Sequence, residues 1–358
     1  MVSLFVKSNK TLSSTLAPCQ RGSHLRNSPN MSEHIESPPD PLSGRRDVTV
    51  AAPIREIENP LWGIDLGGTK IEGVILDPNR PEKALHRIRV FTESPRGYDH
   101  VISQISLLVD QLESVSGLKR PDYLGIGTPG VTTPQTGLLK NSNTLCLNGK
   151  PLAHDISAFL GCEIVIANDA NCCALAEANL GAARGKKTVF GIILGTGVGG
   201  GIVVAGEVLT GFHGICGEWG HNPLRGEAAP CYCGRFGCVE SVCSGPALEK
   251  FYAARTGSPV PLPEIVLRAS RNDADAIATL ERLREKFAEA LGAVINILDP
   301  DAVVIGGGVG NLDLLYTSET RLSILHHLFN DRFDTPLLRP ALGDSAGVFG
   351  AAMLTLWK

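Results

Sequence analysis

A chain of 358 residues is too long for one ordinary hydrophobic core and predicts two domains with a cleft between them. Its net charge of -4 offers no excess of cation to a phosphate backbone or an anionic bilayer, which argues against nucleic acid and membrane surfaces as partners. No run of 18 apolar residues is present to span a bilayer, and three of the ten cysteines crowd into one short stretch, a pattern of a metal site in a reducing cytoplasm rather than an oxidised scaffold.

Residues 1–58 read as a disordered leader, with Pro18, Pro29, Pro38, Pro39, Pro41 and Pro53, many Ser and Asn, and no sustained apolar period. Up to Ser32 the leader holds Lys7, Lys10, Arg21 and Arg26 but no acid, a superficial likeness to a transit peptide; an extended start with Met31 as initiator is the plainer reading. Lys7, Asn9 and Lys10 interrupt any secretory segment, so a cytoplasmic protein is expected.

Order is expected from Leu61. Leu61 to Leu66 reads as a buried strand, Gly67-Gly68-Thr69-Lys70 as a turn, and Ile71 to Leu76 as the returning strand. A strand near Leu85 to Phe91 and a helix from Tyr98 to about Ser116 follow, then the strand Tyr123 to Gly127, and the strand Glu163 to Ile166 that meets Asn168-Asp169 and a helix. The second half repeats the plan: strand Val189 to Leu194, glycine turn Gly195 to Gly201, strand Ile202 to Val204. Asp273 to Leu298 carries Ile277, Leu280, Leu283, Phe287, Leu291, Val294 and Leu298 as a helical stripe; Asp299-Pro300 stops it before the strand Ala302 to Ile305 and the turn Gly306-Gly307-Gly308. Two α/β domains are therefore expected, 59–185 and 186–358, the second carrying a metal module at 217–240, with the last helix able to pack back on the first.

Four constellations could do chemistry. Asp65 stands at a strand end before Gly67, Gly68, Thr69 and Lys70, where backbone N–H groups can approach phosphate oxygens and the carboxylate can hold hydrated Mg²⁺. Such a glycine hairpin, taken alone, is more often only a turn. Gly195-Thr196-Gly197-Val198-Gly199-Gly200 formally fits the dinucleotide pattern, but a strand follows where a Rossmann loop opens a helix, so an oxidoreductase is rejected. Two glycine hairpins closing over a phosphate chain point to a duplicated actin-like or hexokinase-like (ribonuclease H-like) ATPase fold. His221 with Cys231, Cys233 and Cys238 makes the four-ligand tetrahedral set that zinc prefers, with Gly234 and Gly237 allowing the tight reversal between thiolates. Cys172, Cys173 and Cys243 read as ordinary small core residues. Asp169 leaves a strand and enters a helix, placed either to accept a proton from a bound hydroxyl or simply to cap the helix.

With these residues in hand, the sequence resembles the ROK family of sugar kinases and sugar-responsive repressors from about Leu61 to Lys358. The likeness rests on Asp65 to Lys70, Gly195 to Gly199, Glu218-Trp219-Gly220-His221 and the Cys231–Glu240 motif in family order. Within the family, Gly217 to Leu224, Pro230 to Cys233 and Asn296 to Asp301 resemble bacterial fructokinases of the mannokinase-like type.

The resemblance implies that Asn168, Asp169, Glu218, His221 and Glu240 hydrogen-bond sugar hydroxyls, with Asn143 and Gly130 as further candidates. His221 would bind zinc through one ring nitrogen and sugar through the other. Asp65, Gly67, Gly68, Thr69, Lys70, Gly195, Thr196, Gly197, Gly199, Gly307 and Gly308 would hold ATP, with Mg²⁺ at Asp65. The expected reaction is in-line transfer of the γ-phosphoryl group to a hexose, first of all O6 of D-fructose, with Asp169 as base. Glucokinase, mannokinase and N-acetylhexosamine kinase are the alternatives, beside a non-catalytic sugar sensor. A repressor needs a DNA-binding domain, and residues 1–60 lack two periodic helices joined by a short turn. Family likeness also implies a homodimer.

Overall fold

The computed structural model describes residues 57–358, so the leader expected over 1–58 lies outside the described residues but for its last two. In chain order the strands are β1 (Leu61–Leu66), β2 (Lys70–Asp77), β3 (Arg80–Phe91), β4 (Tyr123–Thr128), β5 (Val131–Thr132), β6 (Leu139–Lys140), β7 (Glu163–Asn168), β8 (Thr188–Leu194), β9 (Val198–Val204), β10 (Glu207–Val208), β11 (Ala302–Gly306) and β12 (Leu337–Leu338). The helices are α1 (Tyr98–Ser116), α2 (Leu152–Leu160), α3 (Asp169–Asn179), α4 (Val239–Cys243), α5 (Gly245–Thr256), α6 (Leu262–Ser270), α7 (Ala274–Leu298), α8 (Ser318–Leu325) and α9 (Ala346–Met353).

Two five-stranded sheets share one topology. The first runs β3-β2-β1-β4-β7 and the second β10-β9-β8-β11-β12. In each, the first three strands form an antiparallel meander and the last two join it in parallel. The duplication read from the two glycine hairpins is thus present strand for strand. Helices α1 and α2 cover the outer face of the first sheet over Ile105, Leu108, Leu112 and Ile156, and α4 to α8 cover the second over Phe287, Leu291 and Ile324. Each of these fully buried side chains contributes about 1.5–3 kcal/mol of transfer free energy.

Between the sheets lies a third core built on α3 and α9. α9, the last helix, packs on β1, β2 and β4 of the first sheet, whereas α3 packs on β8 and β9 of the second. Glycine makes both approaches possible: a Cβ on Gly125 would run into the backbone of Ala351, and one on Gly191 into Ala174. α3 therefore starts at the carboxyl end of a first-sheet strand and rests on the second sheet, so its N-terminus, with Asp169, is fixed between the two.

Three expectations change in detail. The glycine turn ends at Gly197, and β9 already begins at Val198, because Gly199, Gly200 and Gly201 pair with Ile193, Ile192 and Gly191. Those glycines sit under Trp219 and α3, where a side chain would collide. β3 begins at Arg80 rather than near Leu85, its register with β2 shifting at Leu76. The stripe of α7 runs through Ala276, Thr279, Leu283, Phe287, Leu291 and Ile295, leaving Ile277 partly exposed. Asp273 caps that helix by accepting the Ala276 N–H at 2.8 Å, and Asp299 ends it in the left-handed region at φ 44°.

Candidate active site

β7 delivers the central residue. The Asn168 side chain caps α3, its Oδ1 accepting the Asn171 N–H at 2.7 Å. Asn168 therefore takes the capping role that its neighbour was equally able to fill, and Asp169 is left as the first helical residue, its Oδ1 accepting the Ala170 N–H at 2.8 Å. Burial pushes the Asp169 carboxyl above its usual range, against the pull of the backbone N–H groups at the helix start. On the neighbouring strands Asp65 pairs with Gly127. Its carboxyl is pushed up to about 6, first by burial, then by the charges of Asp169 and Glu72, with Lys70 opposing. The Asp65 and Asp169 carboxyls thus feel one another's charge across β4, from β1 and from the end of β7.

A cleft of ≈ 770 Å³ brings Asn143, Asn168, Asp169, Glu218, His221 and Glu240 onto one wall system, with Gly130, Gly197 and Gly199 beside them. All the expected sugar-side residues are gathered there. Burial raises the Glu218 carboxyl; His221 opposes, and the charges of Asp169 and Glu240 reinforce the rise. Glu240 has a second task, since its Oε2 accepts the Val198 N–H at 2.9 Å and so clamps the second glycine hairpin to the cysteine loop.

A second cavity of ≈ 280 Å³ is bounded by Gly306, Gly307, Gly308, Asn311, Pro340 and Asp344. It shares Ala170 and Ile193 with the larger cleft, so the two spaces adjoin next to Asp169. Cys173, read as a plain core residue, borders this second cavity instead. Of the expected phosphate-side residues, Gly307 and Gly308 wall it and Gly197 and Gly199 wall the larger cleft, while Asp65, Gly67, Gly68, Thr69, Lys70, Gly195 and Thr196 wall neither space. The Gly67 turn is braced from β3's end, Thr92 Oγ1 donating to the Gly67 carbonyl at 2.6 Å.

His221, Cys231, Cys233 and Cys238 place one ligand atom each within 4.8 Å of one another. A zinc tetrahedron with 2.3 Å metal–sulfur bonds has sulfur–sulfur edges of about 3.8 Å and sulfur–nitrogen edges of about 3.5 Å. The Cys233 Sγ–Cys238 Sγ distance is 3.7 Å and the Cys231 Sγ–His221 Nδ1 distance 3.5 Å. The four residues therefore fit zinc by geometry as well as by donor type. Nδ1 is the metal-side nitrogen, which leaves Nε2 turned to the cleft, 4.0 Å from Glu218 Oε2.

Ile215, Tyr232 and Arg235 also line the cleft, and no function was read for them in the sequence. The available signal was position: Tyr232 stands between two cysteine ligands, so anything that orders the cysteines also fixes its backbone.

The ROK family model matches residues 61–358. The chain belongs to the ROK family. It is similar to N-acetyl-D-glucosamine kinase of Erwinia tasmaniensis, at 36% identity over 82% of this chain and 99% of that protein. Among solved structures it is similar to the ROK hexokinase of Thermus thermophilus, with a TM-score of 0.73, 30% identity, and coverage of 82% of this chain and 97% of that one. It is also similar to the ROK glucokinase of Streptomyces griseus in complex with glucose and AMPPNP, with a TM-score of 0.66, 27% identity, and coverage of 84% and 100%. This ROK member thus has the α/β hexokinase-like fold with two mixed sheets and a His/Cys cluster suited to zinc. The narrower likeness to fructokinases is not carried by these relatives. Among the described residues of this ROK protein no helix is long and apolar enough to cross a membrane.

Proposed function

We propose that the chain transfers the γ-phosphoryl group of ATP to the 6-hydroxyl of N-acetyl-D-glucosamine, with Asp169 as general base. That it is an ATP-dependent sugar kinase of the ROK family follows from its membership and from relatives that match along nearly their whole length. N-acetylglucosamine replaces fructose as the favoured sugar because the curated relatives at 35–36% identity carry that name. The observation that carries the mechanism is that both cavities are lined by Ala170 and Ile193, next to Asp169, which sets a hydroxyl in the larger space near a phosphoryl group in the smaller.

In this reading Glu218, His221, Asn143 and the Asn168 amide orient the sugar, and Asp169 takes the proton as the oxygen attacks. His221, Cys231, Cys233 and Cys238 hold zinc, which fixes the ring orientation of His221. Asp65, ionised, holds Mg²⁺, which supplies neutralising charge to the phosphates. Gly67, Gly68, Thr69, Lys70, Gly195 and Thr196 are assigned to the phosphate chain from their place in the two hairpins. The residues 59–185 and 186–358 form the two domains that close over these spaces, and a homodimer is the proposed assembly.

A coupled ADP-release assay over N-acetylglucosamine, N-acetylmannosamine, glucose, mannose and fructose tests the substrate. The largest kcat/KM is expected for N-acetylglucosamine; a preference for fructose would overturn this choice while leaving the kinase intact. The pH profile tests the base. Asp169 works only when ionised, so a raised carboxyl moves the acid limb of kcat/KM upward, and activity is lost as pH falls through that raised value. A rate that stays flat as pH falls through and below the ordinary aspartate range would contradict the assignment.

A further inference from the structure

The cleft nitrogen of His221 is already occupied. Its Nε2 lies 3.1 Å from the Tyr232 hydroxyl, and the two rings meet edge to face with centroids 5.2 Å apart. With zinc on Nδ1, the side that faces Cys231, the ring proton sits on Nε2, so in the zinc-loaded protein this nitrogen donates one hydrogen bond and the Tyr232 oxygen accepts it. A sugar hydroxyl on the same nitrogen and the Tyr232 hydroxyl therefore exclude one another.

We propose that the Tyr232 hydroxyl is a resident stand-in for a sugar hydroxyl, holding His221 Nε2 when the cleft lacks sugar and swinging away when sugar enters. Tyr232 is suited to this by a fixed backbone and a loose side chain. Cys231 and Cys233 flank it and belong to the metal-ligand set, which pins its Cα. Its side chain is 77% exposed, so little packing resists rotation about its own torsions. The device keeps the imidazole paired and correctly aimed in the free protein. It also makes sugar binding weaker than the cleft alone would give, because each binding event must break the Tyr232 contact. Tyr232 is accordingly a positioning residue for His221 that sets sugar affinity.

This inference rests on the reading of His221 as a sugar ligand. The experiment uses the zinc-loaded full chain, wild type beside Tyr232→Phe and Tyr232→Leu. N-acetylglucosamine binding is measured by calorimetry without nucleotide, KM and kcat by ADP release, and zinc by metal analysis. Both variants should bind the sugar tighter by roughly 2- to 10-fold, the range of one net hydrogen bond, with the change falling on Kd and KM rather than kcat. Equal or weaker sugar binding with zinc retained overturns the inference, since Tyr232 would then be idle or a direct sugar ligand. Loss of zinc in both variants also overturns it, making Tyr232 a brace of the loop. If wild-type protein binds none of the hexoses, the assignment of His221 fails and this inference falls with it; if wild type binds and only the variant ratio disagrees, the inference alone fails.

Discussion

Asp169→Asn is expected to lower kcat by roughly 10²- to 10⁴-fold while leaving N-acetylglucosamine affinity within a few-fold of wild type, the usual span for removing a general base. Asparagine keeps an oxygen for the Ala170 N–H, and the cap of α3 belongs to Asn168, so helix and cleft should survive. What is lost is the proton acceptor at the junction of the two cavities. Single-turnover kinetics beside calorimetric sugar titration separate the two quantities. A near-normal rate in this variant would remove Asp169 from the chemistry.

Cys233→Ala is expected to lose zinc and sugar affinity together. Structural zinc contributes on the order of 10 kcal/mol to local folding in small modules, and the loop's large side chains Tyr232 and Phe236 are exposed. Cys233 is the informative ligand because it is exposed, so its truncation opens no core cavity, unlike buried Cys238. The base of the loop is tied independently, Arg282 pairing with Glu227 at 2.5 Å and the Arg225 N–H reaching Glu289 at 2.8 Å. The second sheet should therefore stay folded while His221 loses its aim. Metal analysis and calorimetry on the same preparation check this, and unchanged sugar binding in metal-free protein would separate zinc from recognition.

Much of the fold was legible because its signals are local. The apolar period from Asp273 to Leu298 announced α7, and two Gly-rich hairpins at corresponding places announced the duplication. The errors came where tertiary packing overrides local preference. Gly199 to Gly201 read as turn because glycine favours turns, yet they are strand residues kept small by Trp219 and α3. The cluster of His221, Cys231, Cys233 and Cys238 was legible from spacing and donor chemistry alone. The cavity behind Asp169 was not, because it is made by segments as distant in sequence as Cys173, Gly307 and Asp344. The choice among hexoses was not legible either, since these sugars differ at single centres and motifs built on shared hydroxyls do not see the difference.

The most direct measurement is a crystal structure of the zinc-loaded protein with N-acetylglucosamine and a non-hydrolysable ATP analogue bound together. The account predicts the sugar against Glu218 and His221, its O6 within hydrogen-bond distance of Asp169, and the terminal phosphate facing that oxygen from the side of Gly307. A sugar bound away from Asp169, or a nucleotide whose phosphates point away from the shared wall at Ala170, would contradict it.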